Sequence, residues 1–269
     1  MSGAVHVQGE LLTVKRQGSH LHLTLVAPGI AERFRPGNFV AVSSDDRSLL
    51  ARRSLWIHRV RPTGSHGPTV ELVVSRDAWP GGLAQGDTVA LTGPLGRPFA
   101  QPKEPVSCLL VGEAHGTAPL FPLAERLRER GCPVSMLLSA PDEARLFGAL
   151  EARRSARAVT VVTGDGSVGQ HGSVADVIAD ALQRSSADVV YAVGSAPTLH
   201  AVAAAAEAHG AWSQTALEVD QPCATGLCFG CAVPVVGEGG MQRSVRACAE
   251  GPVFRGDRVR WTALTGEDA

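Results

Sequence analysis

Residues 1–101 contain short apolar runs, several of which alternate with polar positions, separated by glycine, proline and aspartate. The runs lie at 21–27, 38–42, 54–60, 69–74 and 88–91. Alternation of this kind between turn residues is typical of β-strands, and the even spacing predicts a small antiparallel barrel. Gly93-Pro94-Leu95-Gly96 follows the last run and predicts a sharp turn. Its exposed N–H groups suit contact with a ligand, but a plain barrel turn explains the same residues equally well.

From residue 102 the spacing of apolar positions changes. Continuous apolar runs alternate with helical patterns, the runs at 107–111, 134–138, 158–162 and 189–193 and the helices at 119–130, 174–184 and 198–209. This alternation predicts a parallel sheet covered by helices. Ligands of such sheets bind at the carboxyl ends of the strands, and three glycine-containing turns that begin at Val111, Thr163 and Val193 fall there. Each turn alone is weak evidence, but together they indicate a crevice of nucleotide size.

Four of the six cysteines lie in the last part of the chain, with the spacing Cys223-x4-Cys228-x2-Cys231-x16-Cys248. This is the plant-type ligand pattern of a [2Fe-2S] cluster. Gly226 and Gly230 are predicted to supply positive φ angles and to let N–H groups approach the sulfurs. Structural zinc usually shows two C-x2-C-like pairs, of which this chain has one, and disulfides are typical of secreted proteins. The cluster is therefore preferred over both alternatives.

These patterns predict a multidomain β plus α/β protein. An antiparallel β-barrel over 1–101 precedes a parallel-sheet, nucleotide-binding-like domain over 102–212 and a small C-terminal [2Fe-2S] domain over 213–269. In the last part, Pro234 to Gly240 is predicted to form a turn between two short strands. Asp257 to Trp261 is predicted to form a further short strand.

Composition narrows the classes of function. The formal net charge is −1 and the pI is about 6.8, so no nucleic-acid partner is expected. No apolar run reaches the roughly eighteen residues of a membrane span, and the N-terminus lacks the features of a signal peptide. We therefore expect a cytoplasmic protein without a membrane partner. Cys108 lies in an apolar run and is expected to be a buried, inert thiol, while Cys132 is assigned no role.

Several stretches match those of a known family. They are G-N-F-V at 37–40, G-P-L-G-x-x-F at 93–99, A-P-L-F-P-L-A at 118–124, T-G-D-G-S-V-G with G-S-V-A-D between 163 and 176, Y-A-V-G-S-A-P-T-L at 191–199, L-E with C-A-T-G-L-C-F-G-C between 217 and 231, and C-A-E-G-P-V-F at 248–254. The chain resembles the ferredoxin–NADP reductase superfamily and, more narrowly, the electron-transfer subunit of type B dihydroorotate dehydrogenase. The resemblance covers nearly the whole chain, and the last two stretches are quite specific to that subunit.

The resemblance implies a function. A subunit of this kind takes hydride from NADH onto FAD and passes electrons singly through the [2Fe-2S] cluster to an FMN-containing partner, which oxidises dihydroorotate. It implies a hetero-oligomer with a catalytic flavin dehydrogenase subunit, which holds the substrate site. The implied sites for FAD and NAD(P)H include Arg53, Ser54, Leu55, Trp56, Gly93, Gly96, Gly112 and Gly116.

Three cofactor motifs depart from the family pattern. The flavin motif R-P-x-S reads Arg53-Ser54-Leu55-Trp56, so the arginine is kept and tryptophan replaces the serine. The motif G-x-G-T falls on 74–77, where Asp77 is expected to repel phosphate. The nucleotide motif G-G-G-x-G-x-A-P has Glu113 and Ala114 in place of two glycines, so side chains stand where a dinucleotide approaches the backbone. We therefore expect weak or absent oxidation of NAD(P)H by this chain alone.

Individual residues of these motifs have ordinary structural interpretations as well. Trp56 at a strand position suits the core as well as a flavin platform, and His115 in a loop suits a solvated side chain. Glu218 and Asp220 precede the cysteine loop, where they cap it or lower the potential of the cluster.

Two functions stay open from the sequence. One is an electron-transfer subunit that passes electrons from NAD(P)H through flavin and cluster to a partner. The other is a structural or relay subunit that holds the cluster without its own flavin or NAD site. Leu227 and Phe229 suit a partner interface near the cluster, or else pack over the cluster themselves.

Overall fold

The computed structural model describes residues 3–43, 51–76 and 84–266. Asp77, the last position of the altered G-x-G-T motif, lies outside the described residues, as do Pro80 and Gly81, whose sequence is typical of a turn. All strand and helix bounds below refer to these ranges.

Six strands of the described ranges close into an antiparallel barrel, in the order β1-β2-β5-β4-β3-β6. Their bounds are β1 Val5–Gln17, β2 His20–Val26, β3 Phe39–Ser43, β4 Arg53–Arg61, β5 Thr69–Ser75 and β6 Thr88–Leu95. Leu23, Ile57 and Leu72 are among the fully buried side chains of its interior. The five predicted strands are confirmed. β1 was not predicted, because Gly9 interrupts its apolar pattern; a Cβ at Gly9 would lie 2.4 Å from the Val26 carbonyl oxygen.

A mostly parallel sheet follows, in the order β10-β9-β8-β7-β11-β12-β15. Its strands are β7 Cys108–Glu113, β8 Val134–Ala140, β9 Ala158–Thr163, β10 Gln170–His171, β11 Val189–Gly194, β12 Trp212–Leu217 and the antiparallel β15 Val253–Arg255. β8 and then β9 are added on one side of β7, and β11 pairs with the other side of β7. The boundary between β7 and β11 is therefore the topological switch point, where open α/β sheets bind their ligands.

Four helices cover this sheet: α1 Leu120–Glu129, α2 Ala149–Ser155, α3 Val174–Ser185 and α4 Ala196–His209. α1 buries Leu120, Phe121, Leu123 and Leu127. α3 begins with a capping box in which Asp176 accepts hydrogen bonds from Ser173. Across the described ranges, no helix combines the length and the apolar character that a membrane crossing requires.

The C-terminal residues are built into the same sheet. β12 and β15 extend it, and between them lie the hairpin of β13 Ala232–Val236 and β14 Gln242–Arg246 and the short helix α5 Ala247–Glu250; α6 Trp261–Thr265 follows. Two strands flank a turn here as predicted, but the turn is shorter than Pro234 to Gly240 because Pro234, Val235 and Val236 belong to β13. The strand predicted at 257–261 is wrong, because residues 256–258 form a 3₁₀ turn and Trp261 begins α6, donating from Nε1 to the Gly256 carbonyl at 2.9 Å.

The predicted fold class, a β-barrel followed by a parallel-sheet domain, is confirmed. The boundaries at 101/102 and 212/213 stay predictions. The barrel and the C-terminal segment also touch directly, because Arg52 N–H donates to the Pro222 carbonyl at 2.9 Å and Arg97 N–H donates to the Gly251 carbonyl at 2.6 Å.

Candidate functional site

The three cysteines of the C-x4-C-x2-C motif and the distant Cys248 come together at one loop. Cys231 and Cys248 are buried with their Sγ atoms 3.4 Å apart, although they lie on either side of the β13–β14 hairpin. Cys223 is half-buried and Cys228 is exposed, and all four are free thiols. The hairpin thus returns the fourth cysteine to the first three, as the spacing predicts.

Backbone N–H groups surround two of the sulfurs. Thr225 N–H and Cys228 N–H point at Cys223 Sγ at 3.5 and 3.4 Å, and Gly230 N–H points at Cys228 Sγ at 3.3 Å. Partial burial opposes ionisation of Cys223, but these N–H groups outweigh it and lower its pKa to about 5. Burial, together with the neighbouring Cys231, raises the pKa of Cys248 to about 12. A thiolate surrounded by N–H donors is the environment that an iron–sulfur cluster requires.

The loop backbone differs in part from the prediction. Gly226 has the expected positive φ of 84°, whereas Gly230 does not have a positive φ. Gly230 lies beside Pro222 and donates its N–H to Cys228 Sγ. Ala224 and Phe229 take the left-handed conformation, with φ of 55° and 56°. Side-chain types did not reveal these two positions, because non-glycine residues rarely adopt such angles.

A second site lies between the barrel and the α/β sheet. It is a cavity of about 210 Å³ lined by Phe39, Ser54, Leu55, Trp56, Val73, Val74, Ser75, His115 and residues 217–221. Apolar and aromatic side chains form much of its wall. The side-chain carbonyl oxygen of Gln221 is buried there and has no hydrogen-bond partner among the described residues. An apolar cavity with an unsatisfied acceptor fits a flat aromatic ligand that carries an N–H donor.

Trp56 and Glu218 join the two halves of this crevice. Trp56 Nε1 donates to Glu218 Oε1 at 2.8 Å, and His115 Nε2 lies 3.7 Å from the same oxygen. Trp56 is thus a buried strand residue that also lines the cavity, and its role as a flavin platform stays a prediction. His115 is not simply a solvated side chain, since it faces a carboxylate across the crevice.

Glu113 occupies the switch point between β7 and β11. Its Oε2 accepts hydrogen bonds from Ser195 N–H at 2.9 Å and Ser195 Oγ at 2.7 Å. Ser195 is the N-cap of α4, so the carboxylate neutralises the positive end of that helix. The protein therefore places its own anion at the helix N-terminus nearest to the switch point.

The glycine turn around Glu113 is closely packed. A Cβ at Gly112 would lie 2.5 Å from Thr117 Oγ1, and one at Gly116 would lie 3.0 Å from Glu218 Oε1. Ala114 has φ of 48°, so it keeps the left-handed conformation that suits the glycine of the family motif. The backbone at position 114 therefore takes a conformation typical of glycine although the residue is alanine.

The structure brings only part of the predicted cofactor set together. Ser54, Leu55 and Trp56 line the cavity, whereas Gly93 and Gly96 are not among its lining residues in the described ranges. A Cβ at Gly93 would lie 2.9 Å from Val40 Cγ1, and one at Gly96 would lie 2.5 Å from Pro252 Cδ. The cofactor roles of these glycines, and those of Arg53, Gly112 and Gly116, stay predictions.

Comparison with known proteins identifies the family. Residues 222–260 match the model of the iron-sulfur cluster binding domain of dihydroorotate dehydrogenase B. The dihydroorotate dehydrogenase B (NAD(+)), electron transfer subunit of Geobacillus thermodenitrificans is 34% identical over 88% of this chain and 91% of its own length. The corresponding subunit of Bacillus caldolyticus is 36% identical, with the same two coverages of 88% and 91%.

The chain belongs to the family of dihydroorotate dehydrogenase B electron transfer subunits. The resemblance seen in the sequence motifs is thereby confirmed. A chain in the structure of an NADH-dependent reduced ferredoxin–NADP oxidoreductase superposes with a TM-score of 0.79 at 26% identity, covering 97% of this chain and 92% of that one. The fold is therefore that of a ferredoxin–NADP reductase-like protein, and the cysteine loop belongs to an iron–sulfur cluster binding domain.

Two residues of the crevice carried no sequence signal. His20 is buried beside His115, and burial together with that neighbour lowers its pKa to about 4. Gln221 lies just before the cysteines and belongs to no ligand motif of its own. β2 places His20 beside His115, and the segment after β12 places Gln221 in the cavity wall. Both placements depend on contacts between distant segments, which the local sequence pattern does not contain.

Proposed function

We propose that this chain is the electron-transfer subunit of a dihydroorotate dehydrogenase B-type complex. FAD binds in the crevice, a [2Fe-2S] cluster binds to Cys223, Cys228, Cys231 and Cys248, and electrons pass between them to a catalytic flavin dehydrogenase subunit. The observation that carries the proposal is the adjacency of the two sites: Gln221 lines the cavity and Cys223, two residues later, accepts N–H bonds in the cysteine loop. Two residues of extended chain span about 7 Å at most.

The chain's own residues prepare the crevice for a flavin. Bound flavin supplies the exchange between hydride transfer and single-electron transfer. Phe39 and Trp56, whose rings lie edge to face with centroids 6.4 Å apart, give one wall and exclude water. The Gln221 side-chain oxygen, which has no partner in the described part of the chain, is available to a ring N–H, and Arg53 at the start of β4 supplies a guanidinium suited to phosphate.

The hydride donor binds weakly in this proposal. Glu113 already caps α4 at the switch point, where the phosphates of a dinucleotide would compete with a carboxylate for the same N–H. This contact favours a second function for the chain as a relay that holds the cluster and exchanges electrons with its partner without efficient use of NAD(P)H. The two functions differ in the source of the electrons and share the cluster.

The partner docks at the tip of the cysteine loop. Leu227 is 83% exposed and Phe229 62% exposed, and the Arg246 guanidinium lies 4.7 Å from the centre of the Phe229 ring. Exposed apolar side chains beside a redox site suit a protein interface. The relatives' names place them in dihydroorotate dehydrogenase B, so the partner is a catalytic subunit of that kind, acting in pyrimidine biosynthesis. Six free cysteines suit a reducing compartment, and we assign the complex to the cytoplasm.

Size measurement with the catalytic subunit tests the interface. Leu227→Asp should weaken the complex at least tenfold, because a carboxylate would be buried against the partner. Met241→Asp is the matched control, since Met241 is 73% exposed in the β13–β14 connection. If both variants bind the catalytic subunit as tightly as the wild type does, the cysteine loop is not part of the interface. Release of FAD on denaturing the purified protein tests the crevice, and its absence after loading with FAD would leave only the relay function.

A further inference from the structure

A cluster of metal-ligating side chains lies on the outer wall of the barrel, away from the crevice and the cysteine loop. His22 on β2, His58 on β4 and Glu71 on β5 place His nitrogens and a carboxylate oxygen within 4.8 Å of one another. We propose that these three residues bind a divalent transition-metal ion of the Zn²⁺ class. The inference does not depend on the proposed electron relay.

The barrel strands create the convergence. Glu71 pairs with Thr24, so Glu71 and His22 lie on the same outward face of neighbouring strands. Ile57 and Arg59 pair with the consecutive residues Leu72 and Glu71, which makes His58 the extra residue of a β-bulge. A bulge redirects a side chain, and here it turns the His58 ring towards His22, with ring centroids 5.3 Å apart.

His58 is held in the orientation of a metal ligand. Its side chain is 1% exposed and packs edge-on against Phe121 and Phe147. Its Nδ1 lies 3.0 Å from the Ala118 carbonyl oxygen, which only accepts, so Nδ1 carries the hydrogen. In its neutral form the ring would therefore present the lone pair of Nε2 to His22 and Glu71. A metal-bound histidine typically donates its other N–H to a carbonyl or carboxylate in this way.

Two glutamates each direct one carboxylate oxygen towards a histidine and the other towards an arginine. Glu71 Oε2 lies 3.2 Å from His22 Nε2, while Oε1 lies 3.2 Å from Arg61 Nη2. Glu151 on α2 repeats the arrangement, with Oε2 3.5 Å from His58 Nε2 and Oε1 bound to Arg59. Each glutamate can thus ligate through Oε2 and keep its arginine. Zn²⁺ with bonds of about 2.0–2.1 Å separates tetrahedral ligand atoms by roughly 3.4 Å, close to these distances.

His22 supplies the second independent observation. Its Nε2 is buried and forms no well-aligned hydrogen bond among the described residues, even though Glu71 is near. The contact with Glu71 Oε2 at 3.2 Å leaves this buried nitrogen poorly satisfied, and a metal ion between the two residues would bind it together with Nε2 of His58. Glu151 is a fourth ligand after a small movement of α2. A bound ion would then link the barrel to the α/β sheet.

The test uses cluster-loaded protein, so that the cysteines are occupied. Zn²⁺ is titrated against a chromophoric chelator, and the X-ray absorption of bound zinc reports its ligands. We expect one saturable site with nitrogen and oxygen neighbours at about 2.0–2.1 Å and no sulfur at about 2.3 Å. His22→Gln and Glu71→Gln should each weaken binding at least thirtyfold. His209→Gln, at the exposed end of α4, is the control and should bind as the wild type does.

Three results would overturn the proposal. The first is that protein loaded with its [2Fe-2S] cluster binds no Zn²⁺ at micromolar concentration. His22, His58 and Glu71 would then form a hydrogen-bonded ion network only. The second is a sulfur shell around the bound zinc. The third is equal affinity in His22→Gln and His209→Gln. Circular dichroism of the free variants checks folding, and an unfolded His22→Gln would be replaced by Glu71→Gln, whose side chain has the same shape.

Discussion

Replacing Glu113 by alanine should weaken the fold and strengthen nucleotide binding at the same time. The carboxylate accepts from the N–H and the hydroxyl of Ser195, at 2.9 and 2.7 Å. Loss of a capping interaction of this type costs about 0.5–2 kcal/mol of unfolding free energy. The same substitution uncovers the N-terminus of α4 and removes a negative charge from the switch point between β7 and β11.

The gain in nucleotide affinity follows from Coulomb's law. A carboxylate about 5 Å from a phosphate repels it by roughly 3 kcal/mol at an effective dielectric constant of 20. Glu113 is partly exposed, and salt reduces the repulsion to about 1–1.5 kcal/mol. Glu113→Ala should therefore bind NADH or NADPH about tenfold more tightly.

Asp176 offers a closely matched control. It accepts from the N–H and the hydroxyl of Ser173 at 2.7 Å each, at the start of α3. Asp176→Ala should lose similar stability and leave nucleotide affinity unchanged. Denaturant unfolding and a steady-state assay with NADH, NADPH and an artificial acceptor measure both effects. An ordinary micromolar KM in the wild type, or equal KM in wild type and Glu113→Ala, would refute the proposed competition.

Three further predictions concern the loop and its neighbours. Cys248→Ser should abolish the visible absorption of the cluster and loosen residues 213–260, because ligand binding is part of the folding free energy; Cys132→Ser, outside the quartet, should keep the absorption. Ala114→Gly should raise the unfolding free energy by about 0.5–1 kcal/mol, since φ of 48° is strained for alanine, whereas Ala158→Gly in β9 should lower it in the same urea titration. In the cluster-free protein, alkylation of Cys223 should be fast at neutral pH and slow as pH falls through about 5, where its thiolate takes up a proton; a midpoint near 8.5, the ordinary thiol value, would contradict the role of the N–H groups.

The sequence predicted the fold class and the convergence of the cysteines because both follow from strong local signals. The spacing from Cys223 to Cys248 requires a wrapped loop and a returning segment, and alternating runs require strands. β1 was not predicted because Gly9 interrupts its alternation of apolar and polar residues. A strand was wrongly predicted at 257–261 because R-V-R-W alternates as a strand does. There the helical start at Trp261 and its bond to Gly256 overrode local propensity.

The details of the sites were less accessible because they depend on contacts between distant segments. The sequence showed that Glu113 is unusual but not that it binds Ser195, 82 residues away. The contact of Trp56 with Glu218 spans 162 residues. His22, His58 and Glu71 lie on three strands, and their proximity depends on a β-bulge at His58 that no residue type in the sequence predicts.

Anaerobic reduction of the protein, prepared with its cluster and with FAD, tests the central claim most directly. Visible absorption follows the flavin, and electron paramagnetic resonance follows the reduced [2Fe-2S] cluster. The account predicts that flavin and cluster are both retained by one chain and exchange electrons, so that light-driven reduction of the flavin produces the cluster signal. In Cys248→Ser the flavin should be reduced without that signal. A preparation that holds zinc in place of iron and sulfide, or a cluster that stays oxidised beside fully reduced flavin, would contradict the account.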